Sequence, residues 1–295
     1  MSKIKVLEEW RGVILAVGAG YAPQIPSFRA EGAYKSLMFQ VFTWLSSYDE
    51  ITKKEKIRIV DFGSGKAYLT FSLYYYIVEV LGVEAEITGI DLKEDVVKFC
   101  NETAKKLSYK KLSFLCGDIK TFDNFEGIDM IVTLHACDIA TDMAIAHGIK
   151  WKSRIIMVVP CCQHEVNKQL EKQRNLHSGK MKSKTEVMEV SEMLGDQLAS
   201  MEEVLGPIMD YGLLRERFAA LVTDGLRAKR LESEGYETQV LEFIDMEHTP
   251  KNILLRAVKK GSPAAKSRKE AEDCERFLKI QPTLGMLLAE QKGDK

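Results

Sequence analysis

The residues that most plainly could do chemistry form a short run, Asp61-Phe62-Gly63-Ser64-Gly65-Lys66-Ala67, at the end of an apolar stretch that begins at Ile57. Glycines permit the tight turn of a strand-to-helix junction and let backbone N–H groups approach an anionic ligand at the start of a helix. Lys66 adds a cation at the turn, and Asp61 suits a cofactor whose head group carries positive charge. A nicotinamide dinucleotide would want the spacing G-x-G-x-x-G, but Tyr68 stands third, and its ring would obstruct the close helix and strand packing that glycine allows there. Two more acids close comparable apolar runs. Asp91, followed by Leu92, is an acceptor-only group placed where a ribose would offer two hydroxyls. Gly117-Asp118-Ile119 brings a carboxylate for an adenine amino group, with backbone amides beside it. Asp61, Asp91 and Asp118 together describe one nucleoside pocket.

A second group of reactive types follows, in His135-Ala136-Cys137-Asp138 and in Pro160-Cys161-Cys162-Gln163-His164-Glu165. Three chemistries compete for it. A thiolate of Cys137, Cys161 or Cys162 near a histidine is a plausible covalent nucleophile toward a pyrimidine ring. Sulfur and imidazole from His135, Cys137, Cys161, Cys162 and His164 suit zinc, although the spacing matches no finger pattern, and the expectation is no metal. The third leaves the cysteines as small packing residues while His135, Asp138, Gln163, His164 and Glu165 orient a substrate or move protons. His135 would also face the cofactor.

Such residues work together only if an architecture brings them to one edge. From Ile57 to Val159 short Val- and Ile-rich runs alternate with longer helical patterns, which predicts βαβ units and a mostly parallel sheet. The strands are read at Ile57 to Asp61, Glu86 to Asp91, Leu112 to Cys116, Met130 to Leu134 and Arg154 to Val159. Helices are read at Leu69 to Leu81, Glu94 to Leu107 and about Ile139 to His147. Right-handed crossovers then put all five strand ends, and with them both groups of reactive residues, on one edge. After Cys162 a charged stretch runs to about Lys184, followed by helical patterns at Thr185 to Leu205 and Pro207 to Glu234. Two strands close the pattern, Thr238 to Ile244 and Asn252 to Val258, and the short link between them makes the pair antiparallel. The expected fold is therefore α/β, a seven-stranded Rossmann-like sheet, mostly parallel with an antiparallel last strand and helices on both faces. Residues 55–260 are read as that domain, with a helical insertion at about 163–234. Residues 1–54 read as a helical and irregular segment, and 261–295 as a loosely attached tail.

Composition narrows the function classes. A chain of 295 residues with 45% hydrophobic and 29% charged residues has the balance of a folded globular protein. A net charge of -1 supplies no global field for a polyanion, so any nucleic-acid contact must come from a local patch. Such a patch is suggested by Arg215, Arg217, Arg227, Lys229 and Arg230, with Lys168 to Lys184 before them, although glutamates interleave. Glu8 and Glu9 stand where a secretory signal would want positive charge, and the early apolar run Val13 to Gly20 is too short to span a bilayer. A cytoplasmic protein with reduced thiols, away from membranes, is expected.

Asp61 to Leu69, Asp91 and Asp118 resemble, in that order, motif I, the ribose-binding acid and the adenine-side acid of class I S-adenosylmethionine-dependent methyltransferases. Ala67 stands where that family usually has a third glycine. The segments at His135, Pro160 and His248-Thr249-Pro250-Lys251-Asn252 resemble more narrowly a subgroup that includes the methyltransferase-like protein 25 group. The resemblance covers roughly residues 55 to 260. It implies S-adenosylmethionine as cofactor, bound by Asp61, Gly63, Ser64, Gly65, Asp91, Leu92, Asp118, Ile119 and His135. Methyl transfer is then expected at the ends of the fourth and fifth strands, with His135, Cys137, Asp138, Cys161, Cys162 and His164 as the candidate catalytic residues. RNA or a ribosomal component is the expected acceptor, with a protein, a small molecule, or a non-catalytic partner role as the alternatives.

Overall fold

The computed structural model describes residues 56–122, 125–134, 136, 138–160, 162–177, 201–242 and 253–293. Seven strands form one sheet: β1 (Lys56–Phe62), β2 (Glu84–Asp91), β3 (Leu112–Cys116), β4 (Met130–Thr133), β5 (Ile155–Val158), β6 (Tyr236–Glu242) and β7 (Ile253–Lys259). Their order is β3-β2-β1-β4-β5-β7-β6. The first five run parallel, and β7 alone is antiparallel to both its neighbours, β5 and β6. The connections run outward in opposite directions from β1 and β4, so the switch point that favours ligand binding lies between those two strands.

Alternation along β1 divides the core. Ile57 and Ile59 join one buried cluster, while Val60 and Phe62 join the other, as successive side chains of a strand must. The first face is covered by α1 (Tyr68–Tyr75), which continues as a π-helical turn to Val80, and by α2 (Glu94–Lys106). The second is covered by α3 (Ile139–Lys150) and by the long α6 (Gly212–Ser233). β4 and β5 are buried along their whole length, which explains why their sequences read as unbroken apolar runs.

Three segments differ from the sequence reading. The charged stretch after Cys162 is a helix, α4 (His164–His177); Val166 and Leu170, four residues apart, supply its buried face among many polar neighbours. The helix read from Pro207 to Glu234 breaks later, at Asp210 and Tyr211, because Pro207 lies within α5 (Met201–Met209) and forfeits only its own N–H bond there. The tail is firmly packed: α7 (Ala265–Phe277) and α8 (Thr283–Lys292) bury Ala271, Leu278, Ile280, Leu284 and Leu288. Thr283 donates from both its N–H and its hydroxyl to Glu165, at 3.1 and 2.7 Å, tying α8 to the start of α4. The N-terminal segment, most of the Thr185 to Leu205 pattern and the link containing His248 lie outside the described residues.

Candidate functional site

The loop after β1 encloses a cavity of about 230 Å³, lined by Asp61, Gly63, Ser64, Lys66, Ala67, Tyr68, Leu69 and, from the end of β4, Leu134. The backbone explains the glycines. Gly63 and Gly65 have φ of 69° and 52°, in the left-handed region where a side chain is penalised. Ala67 shares that conformation with φ 59°, so the third glycine of the motif is missing at a position whose backbone asks for one.

The amides of the turn are used differently from the sequence reading. Gly63 and Ser64 donate to the Ile90 carbonyl at 2.8 and 3.0 Å, and Gly65 donates to Asp91 Oδ2 at 2.8 Å. The glycine N–H groups therefore fasten the turn to β2. The remaining place for N–H groups that could face a ligand carboxylate is the first turn of α1, whose N-cap Ala67 provides no side-chain acceptor.

Asp61 is 2% exposed, and its Oδ2 accepts a 2.7 Å hydrogen bond from the Thr70 hydroxyl. Its Oδ1 is buried with no hydrogen-bond partner among the described residues, as is Ser64 Oγ. Burial pushes the Asp61 carboxyl up to about 7, with the nearby Asp91 charge adding to the effect and the Thr70 bond opposing it. An acceptor atom left unpaired in a cavity wall fits a cationic donor such as an ammonium group, so the residues present suit the cofactor that the motif implies.

Asp91 is half-buried, and its second oxygen takes the Lys93 N–H at 3.0 Å. Each oxygen keeps a further lone pair for a donor such as a ribose hydroxyl. Leu92 beside it is 71% exposed, an apolar surface available to a flat ring. Gly117 N–H donates to the Asp91 carbonyl at 3.0 Å, which brings the third strand end alongside the second. Asp118 is exposed and caps the short turn Ile119–Thr121 through the Lys120 N–H. The Ile119 carbonyl sits 2.8 Å from His147 Nε2, on α3, whose ring stacks on Phe62 and Trp151. Sequence reasoning missed His147 and Thr70. Thr70, in the first turn after the loop, could have been found from spacing, whereas His147 is brought in only by the tertiary fold.

At the other group, His135, Cys137 and Cys161 lie outside the described residues, and the thiol and zinc readings depend on them. Cys162 is half-buried and His164 exposed. Asp138 and Glu165 turn out to be occupied in holding helix starts: Asp138 Oδ1 accepts the Glu165 N–H at 3.1 Å, and the Glu165 carboxylate holds Thr283. Gln163 donates to Asp224 Oδ2 at 3.0 Å.

The basic patch is largely consumed as well. Arg227 is 2% exposed and paired with Asp142 and Asp224. Arg215 is buried and donates to Glu171 and to the Met209 carbonyl. Lys229 pairs with Glu232 and Glu270, and Arg230 with Glu275. Lys168, Lys172 and Arg217 remain exposed. The sequence could not separate these cases, because most of the acids that neutralise the patch (Glu171, Asp142, Glu270 and Glu275) are distant in the chain, whereas Asp224 and Glu232 lie one helical turn from their partners.

Residues 37–169 match the model of a family described as a methyltransferase domain. Curated relatives from Homo sapiens and Mus musculus, each a glutathione S-transferase C-terminal domain-containing protein, are 27% and 28% identical over 201 residues, 68% of this chain. The chain spans 30% of the length of those relatives. Similar solved structures include a putative class I S-adenosylmethionine-dependent methyltransferase from Listeria monocytogenes, at 13% identity over 86% of this chain and 68% of that one, with a TM-score of 0.48. Another is magnesium protoporphyrin IX methyltransferase from Synechocystis, at 14% identity over 87% of this chain and 95% of that one, with a TM-score of 0.43. No helix among the described residues is long and apolar enough to cross a membrane. The domain match, with the strand order and the acid-bearing loop already described, marks residues 37–169 as a methyltransferase domain, of a family that uses S-adenosylmethionine.

Proposed function

We propose that the cofactor lies in the cavity beside Asp61 with its nucleoside along Asp91, Leu92 and Asp118. The acceptor then approaches the carboxyl ends of β4 and β5 and is RNA or a ribonucleoprotein of the cytoplasm. Bound there, S-adenosylmethionine supplies an electrophilic methyl group on a sulfonium. The chain's own part is to hold and orient. Asp61 Oδ1, buried in the cavity wall without a partner among the described residues, is the observation that carries this reading, because it can accept from a cationic donor. The first turn of α1 offers N–H groups to a carboxylate, Asp91 offers acceptors to a ribose, and Leu92 offers an apolar face to a purine.

Support for an RNA acceptor is narrower than the sequence implied. It rests on Lys168, Lys172 and Arg217, exposed on α4 and α6, and on Lys180, Lys182, Lys184 and Lys251, which lie outside the described residues. The test is to incubate the protein with radiolabelled S-adenosylmethionine and a cell extract, then fractionate by molecule type. Label in the RNA fraction is expected. Label confined to protein or to small molecules overturns the acceptor class. Tight cofactor binding with label nowhere favours a non-catalytic partner subunit.

A further inference from the structure

Arg227 is among the largest side chains in the molecule to be fully buried, and nothing in the cofactor pocket uses it. Its guanidinium makes four hydrogen bonds. Nε and Nη2 grip the two oxygens of Asp142 at 2.9 and 2.8 Å, Nη1 reaches Asp224 Oδ1 at 3.1 Å, and Nη2 also donates to the Asp138 carbonyl at 3.0 Å. Asp142 lies on α3 and Asp224 on α6, each almost wholly buried. The second oxygen of Asp224 takes the Gln163 side-chain amide, and Gln163 stands in the segment leaving β5. Asp138 stands in the segment leaving β4.

The segment leaving β4 is strained. Asp138 has φ 54° and ψ -122°, a combination that non-glycine residues avoid and that persists only where surroundings over-determine it. Here the determinants are visible: its carbonyl is held by Arg227, and its carboxylate by the Glu165 N–H at the start of α4. A buried arginine facing two carboxylates is a poor device for stability alone, since desolvating three charges offsets much of their attraction. Its geometry is specific, however, because a planar fork with five donors fixes several partners at once where an ammonium would not.

We propose that Arg227 is a positioning residue: the Arg227–Asp142–Asp224 cluster, extended by Gln163, locks the segments leaving β4 and β5 into one arrangement set by the insertion helix α6. The acceptor side of the site is thereby governed by the part of the chain that lies outside the sheet. That functional consequence rests on the acceptor approaching these strand ends, whereas the locking itself does not.

The test compares Arg227→Lys and Gln163→Ala with the wild-type chain by peptide-resolved amide exchange, by S-adenosylmethionine affinity and by label transfer to the cell extract. In Arg227→Lys, exchange in residues 134–141 and 159–166 is expected to accelerate about tenfold or more, with β2 and β3 unchanged and cofactor Kd within about twofold. In Gln163→Ala only 159–166 should loosen, and this variant keeps the test open should Arg227→Lys fail to fold. Transfer should fall about tenfold at saturating cofactor in Arg227→Lys. Unchanged exchange in both segments of a folded variant, or uniform acceleration across the whole chain, overturns the locking. Undiminished transfer from a loosened variant overturns the functional consequence. If the wild-type chain transfers no label while the segments loosen as described, the lock stands and the methyl-transfer reading falls.

Discussion

The two halves of the sheet's carboxyl edge treat their polar residues in opposite ways. Around β1 to β3 acceptors stand unfilled among the described residues: Asp61 Oδ1 and Ser64 Oγ are buried without partners there, and Asp91 takes one N–H on each oxygen. Around β4 and β5 the acids and Gln163 are occupied, although Asn167 Oδ1 on α4 is buried without a partner among the described residues. Asp138, Gln163, Glu165, Asp142 and Asp224 each hold another element in place. Residue types that suggest acid and base chemistry thus serve assembly on one half, while unfilled capacity lies on the other, where we propose that the cofactor binds. A reactive side chain becomes informative only once its hydrogen bonds have been accounted for.

The largest effect that would break this contrast lies on the occupied half. Arg227→Met removes the only arginine facing Asp142 and Asp224 among the described residues and leaves two buried carboxylates uncompensated; it should cost about 3–5 kcal/mol in urea unfolding. A loss below about 1 kcal/mol would mean that the cluster is not closed to water.

On the unfilled half, Asp61→Asn should weaken S-adenosylmethionine binding about tenfold or more, since a charge-assisted bond to a buried carboxylate contributes roughly 1.5–3 kcal/mol. The same carboxyl sets a pH dependence. With its value near 7, its ionised fraction grows about fivefold between pH 6 and pH 7, and wild-type affinity should grow in proportion while Asp61→Asn stays flat. The sign for stability is opposite. The folded value lies above the ordinary carboxylate value of 3.8, so the stability that Asp61 contributes is fully present below about pH 4 and is lost as pH rises through about 7. The cofactor-free melting temperature should therefore drift down across that window, and saturating cofactor should oppose the drift.

The smallest effect concerns Ala67. Its left-handed backbone costs about 1–2 kcal/mol relative to glycine, partly offset by the entropy glycine loses on folding, so Ala67→Gly should raise stability by about 0.5–1 kcal/mol. Thermal melts check this, and a loss of stability would show that the turn depends on the methyl group.

Much of the fold was legible because its signals are local. The apolar runs at β1 to β5 and the glycine turn each announce themselves within a few residues, and the antiparallel relation of β6 and β7 follows from the length of their link. What escaped depends on distance. α4 hides its two buried aliphatics among charges, and α7 and α8 read as a frayed tail because their partners lie on α4, α3 and α6. Arg227 reads as a surface base because Asp142 lies 85 residues away, and only the fold brings the two together. The local geometry of the proposed cofactor loop was legible for the same reason in reverse, since Asp61, the turn and Thr70 form a continuous stretch.

Titration calorimetry of S-adenosylmethionine into the wild-type chain and into Asp91→Asn at pH 7.5 tests the central claim most directly. One cofactor per chain is predicted, with affinity at least about tenfold weaker in a folded Asp91→Asn, whose melting temperature should fall modestly because one of the oxygens that accept the Gly65 and Lys93 N–H groups is lost. Absence of binding to the wild-type chain, or equal affinity in a folded Asp91→Asn, would contradict the placement of the cofactor along Asp61 and Asp91.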